Sequence, residues 1–155
     1  MRLELVKDWM SRDVVTGAPT MGLLDADSLM REHKIRRLPV VENGRLVGIV
    51  TYGDIREARP SLASAVSTWE MNHYLASLNI GEIMTQATKS VSPEATIGEA
   101  ADMMLTSKIS GLPVVDAAGV LVGIITESDI FRMVAHHWKQ GQDDSTKPYT
   151  HYDGK

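Results

Sequence analysis

Ile97, Ala100, Ala101, Met104 and Leu105 fall at i, i+3, i+4, i+7 and i+8, the spacing of one apolar helical face. Thr96-Ile97-Gly98-Glu99 opens that run as a capping box. A weaker copy lies upstream, where Leu23, Ala26, Leu29 and Met30 carry the stripe and Gly22 and Asp25 take the cap positions. Asp27 interrupts this stripe at the place of Ala101. Each helical pattern is followed by short β-branched runs. Pro39-Val40-Val41 and Leu46-Val47-Gly48-Ile49-Val50 flank Asn43-Gly44, which predicts a hairpin with a type I′ turn. Val114-Val115 and the run from Leu121 to Ile125 flank a looser loop. After Thr51 and Thr126 the pattern turns helical again. Short extended pieces at residues 14–16 and 89–91 precede the whole set, so the predicted order is β-α-β-β-α, twice.

The two halves are a repeat. An offset of 74 places Met10 on Met84, Pro19 on Pro93, Lys34 on Lys108, and Leu38-Pro39-Val40-Val41 on Leu112-Pro113-Val114-Val115. One residue is inserted in the polar turn after these strands, where a duplicated unit tolerates it. Gly48, Thr51 and Asp54 then fall on Gly123, Thr126 and Asp129. The expected divisions are a first repeat at residues 1–58, a helical connector at 59–79, a second repeat at 80–138, and a polar, disordered tail at 139–155. In the connector, Pro60 and Ser61 suggest a helix start, with Trp69, Tyr74, Leu75 and Leu78 available for packing. A unit of 55–60 residues is marginal alone, so the fold expected is α+β, with the repeats packed face to face about a pseudo-twofold axis.

Composition narrows the function. The chain has 155 residues, no cysteine and a formal net charge of −4. Thiolate catalysis and Cys-based zinc sites are excluded, and a reducing compartment fits. Acids in Met1-Arg2-Leu3-Glu4-Leu5-Val6-Lys7-Asp8 do not suit a signal peptide, and no apolar run reaches the ~20 residues that span a bilayer. The expectation is a cytoplasmic protein without a membrane partner. The acidic balance and the lack of a long basic run argue against nucleic acid.

The phrase GIVTYGDI at Gly48 is rewritten as GIITESDI at Gly123. Thr-x-x-Asp before a helix is itself a capping box, and that structural reading stands on its own. The same arrangement also brings a hydroxyl, a carboxylate and first-turn N–H groups to one place. An ionised Asp only accepts hydrogen bonds, and a ribose diol presents two adjacent donors. Helix N–H groups suit a phosphate nearby, and an apolar Leu-Pro-Val-Val edge suits a flat base. This chemistry describes an adenosine-type ligand better than a sugar or a metal.

Met10 and Met84, the two Leu-Pro-Val-Val runs and the two Gly-Ile-x-Thr-x-x-Asp phrases, in register, resemble a tandem pair of CBS domains (cystathionine-β-synthase domains, a Bateman module). The resemblance covers residues 6–58 and 80–134. It implies clefts between the repeats that bind AMP, ADP, ATP or S-adenosylmethionine as regulatory ligands, with no cofactor required. It also implies a homodimer that signals to a separate regulated protein. Carried over by position, Asp54 and Asp129 hold ribose, with Thr51 and Thr126 beside them. Backbone at Arg37-Leu38-Pro39 and Gly111-Leu112-Pro113 lines the base, and turns holding Thr16, Pro19, Ser90 and Pro93 close the pocket. Arg36 and Arg37 offer bidentate phosphate contacts where the second repeat has Ser110 and Gly111. Arg56 and Arg132 are either further phosphate contacts or solvated helix surface.

Two other classes stay open. One is a dimerisation module with vestigial pockets, with the segments around Trp69 and Trp138 as contact surfaces. The other is a small nucleotide-hydrolysing enzyme, for which no Ser/His/Asp set or Walker-type loop appears. His136-His137 point about 100° apart on a helix and do not share a metal face, even with Asp143-Asp144 following. Trp9, Trp69 and Trp138 are too scattered for a base-stacking platform.

Overall fold

The computed structural model describes residues 4–59 and 67–142. Each repeat opens with a four-residue helix that the apolar pattern did not announce, α1 (Val6–Trp9) and α5 (Ile80–Ile83). The first repeat continues with α2 (Leu23–Glu32), β1 (Arg37–Glu42), β2 (Arg45–Thr51) and α3 (Tyr52–Glu57). The connector supplies α4 (Thr68–Ser77), and the second repeat continues with α6 (Ile97–Ser107), β3 (Gly111–Val115), β4 (Leu121–Thr126) and α7 (Glu127–Gln142).

Local chemistry explains most of these bounds. Thr96 caps α6 through the reciprocal bonds of a capping box with Glu99, and Gly22 begins α2 without a side-chain cap. Asn43 and Gly44 both have positive φ, as a type I′ turn requires. In the second hairpin Asp116 Oδ1 accepts from the N–H groups of Ala118 and Val120 and stabilises the longer loop. Lys34 and Lys108 both adopt the left-handed conformation where α2 and α6 stop, and both are exposed or partly so at the surface.

Three expectations change in detail. In place of the extended pieces at 14–16 and 89–91 stand one-residue parallel bridges, Gly17, just past the first, to Val40 and Val91 to Val114. The connector helix starts at Thr68, capped by Ser67; the proposed start at Pro60 and Ser61 lies outside the described residues. Residues 139–142, assigned to the tail, continue α7 although they add no apolar position, and Gln140 Nε2 lies 2.8 Å from His136 Nε2 one turn back; the rest of the tail lies outside the described residues.

The packing units are not the sequence repeats. Val6 and Met10 belong to the core of Val91, Ile97, Ala100, Met104, Leu112, Val114 and Ile125. Ile80 belongs to the core of Leu23, Ala26, Met30, Leu38, Val40, Val50 and Ile55. Each repeat thus lends its opening helix to the other. Backbone bonds fix the exchange: Val6 N–H donates to Ala95, Lys7 N–H to Pro93, Ile80 N–H to Met21 and Gly81 N–H to Pro19. Ser11 pairs with Ile124, and Thr85 with Ile49. The hairpin tips also meet, through Leu46 N–H to Gly119 and Leu121 N–H to Gly44.

The exchange accounts for one letter of the repeated phrase. A Cβ built on Gly48 would lie 2.5 Å from Met84 Sδ and 3.0 Å from the Thr85 carbonyl oxygen. On Gly123 it would lie 2.6 Å from Met10 Sδ and 2.9 Å from the Ser11 carbonyl oxygen. The repeated Met and the repeated Gly are two sides of one contact made twice.

Candidate functional site

Strand β2 delivers Thr51 to the start of α3, and β4 delivers Thr126 to the start of α7. In the first repeat Asp54 N–H donates to Thr51 Oγ1 at 3.1 Å, and Thr51 N–H donates to Asp54 Oδ2 at 2.8 Å. In the second repeat Asp129 Oδ2 accepts from Thr126 N–H at 2.8 Å and from its hydroxyl at 3.0 Å. The reciprocal capping box is present in the first copy, and in the second the Asp129 carboxylate closes back on Thr126. The structural reading and the binding reading use different oxygens of the same carboxylates.

Those second oxygens differ. Asp129 Oδ1 accepts from Arg132 at 2.9 Å, and the residue is 2% exposed. Asp54 is half-buried, and among the described residues no group donates to its Oδ1. Asp54 Oδ1 is thus unengaged among the described residues, whereas Asp129 Oδ1 is held by Arg132. The Arg132 guanidinium is mostly exposed but the Asp129 carboxylate is buried, so a group that displaces Arg132 must itself satisfy that charge.

The residues that seemed to separate the two sites are brought together. The Arg37 guanidinium reaches across the repeats and donates to the Ser110 hydroxyl, and it lies close to Gly111. Burial lowers the Arg37 pKa, the Glu127 carboxylate at the start of α7 opposes that, and Arg36 adds to it. Glu127 was not among the sequence candidates, although its place directly after Thr126 marked it. Arg36 is exposed, and its carbonyl accepts the Tyr52 N–H at 3.0 Å; Ser110 does the same for Glu127 at 3.1 Å. These bonds, with that from Asp54 N–H, already engage part of the helix-start donors expected to be available to a phosphate.

Leu38 and Leu112 are fully buried in the two cores, and Pro39 and Pro113 are buried beside them. Their side chains pack the fold, so backbone is what this segment can present to a base. The carbonyls of Pro39 and Pro113 accept from Gly17 and Val91 N–H. Thr16, Pro19, Ser90 and Pro93 are half-buried, and the Pro19 and Pro93 carbonyls hold the exchanged helices through Gly81 and Lys7. Ser90 also lines a shallow cleft of ≈ 530 Å³ on the α6 side with Lys89, Ser92, Glu99 and Asp102. Arg56 is set apart, in a cleft between α2 and α3 whose lining includes neither Thr51 nor Asp54.

His136 and His137 both meet the edge of Trp9, at ring-centroid distances of 5.6 and 6.1 Å, and His137 Nε2 lies 3.1 Å from Glu4. Asp143 and Asp144 lie outside the described residues. No group of three or more potential metal ligands occurs among the described residues. No helix there is long and apolar enough to cross a membrane.

Most of the chain is similar to known proteins. A family model described as CBS domain matches residues 6–61 and 80–136. A CBS domain-containing protein of Dictyostelium discoideum is 33% identical over 131 residues, covering 84% of this chain and 90% of its own. The inosine-5′-monophosphate dehydrogenase of Korarchaeum cryptofilum is 37% identical over 130 residues, 84% of this chain but 24% of that enzyme. The chain spans about a quarter to a half of the length of the first curated relatives it matches. Among solved structures, the CBS domain pair of protein MJ0100, in complex with 5′-methylthioadenosine and S-adenosyl-L-methionine, superposes with a TM-score of 0.71 at 32% identity, covering 88% of this chain and 99% of that one. CBSX2 in complex with AMP, a protein of Arabidopsis thaliana, superposes with a TM-score of 0.74 at 28% identity, covering 87% and 98%.

Proposed function

The chain belongs to the CBS-domain family, with the domain present twice, and from that premise we propose that it is a non-catalytic regulatory module that takes an adenosine-containing ligand between its repeats. The observation that carries this reading is the Asp54 Oδ1, to which no group among the described residues donates, beside Thr51 at the end of an apolar strand. An ionised carboxylate there accepts the two hydroxyls of a ribose. Asp129 and Thr126 form the second, latched copy, in which Arg132 must yield first. Arg37 pairs with Thr51 in the hairpin register and the Arg36 carbonyl accepts the Tyr52 N–H, which supports a role for these arginines toward a ligand phosphate or carboxylate.

Regulation then follows from Arg37. Its bond to Ser110 ties one repeat to the other. A ligand anion that takes over this guanidinium exchanges a contact between repeats for a contact with ligand. Such a ligand shifts the packing only by its difference in affinity for the two arrangements.

The molecule is proposed to act as a homodimer, signalling to a separate protein. Leu105, Phe131, Val134 and Trp138 are large, apolar and more than half exposed on α6 and α7, which supports burial against a second copy. Trp69 is 73% exposed on α4, where it stacks on His73.

Calorimetric titration with AMP, ADP, ATP and S-adenosylmethionine tests the ligand reading. Saturable heat with at least one, weakened in Asp54→Ala and without turnover on chromatography, is the expected result. Silence with all four leaves a dimerisation module, and turnover makes the protein an enzyme.

A further inference from the structure

Asp27 breaks the apolar stripe of α2, yet it is only 8% exposed. A buried carboxylate is retained at such a position only when paired. Its partners are both arginines. Arg31 Nε donates to Oδ1 at 3.2 Å while its Nη2 lies 3.1 Å from Oδ2, and Arg59 Nη2 donates to Oδ2 at 3.5 Å. Beside them Arg56, with no ion pair among the described residues, completes the wall of a cleft of ≈ 190 Å³, together with Tyr52 and Ile55. Three guanidiniums and one carboxylate line the cleft, so it carries a surplus of two positive charges.

We propose that this cleft on the outer side of the first repeat is an anion site for a phosphate-bearing small molecule. Asp27 is a positioning residue: it sits under two guanidiniums and fixes them, leaving their remaining N–H groups for a ligand. Planar guanidinium forks match phosphate oxygens in pairs. A phosphoryl group carries about −1.5 to −2 charge at neutral pH, which balances the surplus. The Tyr52 hydroxyl adds a donor at the rim. The second repeat is an internal control. At the six equivalent positions it has Ala101, Leu105, Glu127, Ile130, Phe131 and Val134, with no arginine among them. The cleft is therefore not a by-product of the repeated fold; it was built, or kept, in one copy only. It is also separate from the Thr51–Asp54 pair, so it stands or falls independently of the adenosine reading.

The test is a titration of the ¹⁵N-labelled protein with inorganic phosphate at constant ionic strength set with chloride, read at the arginine Nε–Hε resonances. Saturable shifts at Arg31, Arg56 and Arg59 are expected, and the Arg31→Gln/Arg59→Gln variant should lose at least fivefold in affinity while its backbone amide spectrum stays folded. Asp27→Asn, if it folds, should lose affinity by leaving the arginines unpositioned. Asp54→Ala should retain phosphate binding, which separates the two sites. Parallel titrations with AMP and adenosine identify the source. Shifts with AMP but not adenosine place a phosphate ester in the cleft, and shifts with phosphate alone make free phosphate the ligand. Shifts that grow linearly without saturating, or that chloride alone reproduces, overturn the proposal.

Discussion

Replacing Gly48 by Ala tests the reciprocal exchange on which the whole arrangement depends. The new methyl would meet Met84 Sδ at 2.5 Å, Met84 Cγ at 2.9 Å and the Thr85 carbonyl oxygen at 3.0 Å. The thioether end can swing away, but the Thr85 backbone is held by bonds of 3.0 and 2.9 Å to and from Ile49. Overpacking of this kind costs about 1–3 kcal/mol. Relief by breaking the pair of backbone bonds costs a similar amount, about 0.5–1.5 kcal/mol each. Ala in a strand regains roughly 0.5–1 kcal/mol over Gly, so the net loss is about 0.5–2 kcal/mol. At about 2–4 °C per kcal/mol for a chain of this size, thermal unfolding should fall by about 1–8 °C. Calorimetric melting of Gly48→Ala, Met84→Ala and the double variant closes a cycle, and a coupling of at least ~0.5 kcal/mol is expected for residues in direct contact. Hydrogen exchange should quicken at Thr85 and Ile49 together. If Gly48→Ala melts with the parent, or costs the same with Met84 absent, the contact between exchanged segment and hairpin is not as described.

Other consequences are more local. Arg132→Gln frees Asp129 Oδ1; if Arg132 is a latch, nucleotide affinity measured by calorimetry rises, whereas a loss of affinity would make it a ligand contact. Glu99 titrates below its ordinary value, first because it accepts from the Thr96 N–H and second from the Thr96 hydroxyl. A lowered folded-state pKa means that the capping box stabilises above the unfolded value of 4.5 and that this contribution is lost as pH falls through the folded pKa. Thr96→Val should therefore raise the Glu99 midpoint in a carboxylate NMR titration, and an unmoved midpoint counts against the assignment. Lys108→Gly relieves a left-handed φ of 54° that costs a side-chain-bearing residue about 1–2 kcal/mol; less the entropy of Gly, a gain of roughly 0.5–1 kcal/mol should appear in denaturant unfolding.

Much of this molecule was legible along the chain. Helices α2 and α6, both hairpins and the caps at Thr51 and Thr96 follow from period, turn chemistry and hydrogen-bonding side chains within a few residues of each other. Local interactions of that kind are encoded where they act. The Thr–Asp phrase was legible for the same reason, since its donor and acceptor are three residues apart. Tertiary structure decided what joins residues distant in sequence. Four-residue helices α1 and α5 have too few turns to show a period, and only the opposite repeat gives them a core to enter. Leu105, placed by spacing on the buried stripe, is 77% exposed, while Ile97, Ala100 and Met104 of the same helix enter a core completed by the lent Val6 and Met10. Arg37 and Ser110, read as marks of two different sites, form one contact once the repeats face each other. Asp27, a flaw in a one-dimensional pattern, gains its meaning only when α3 brings Arg59 to it. A repeat in sequence states what each half is made of, while the partner of each buried face is set by which surfaces exclude water together.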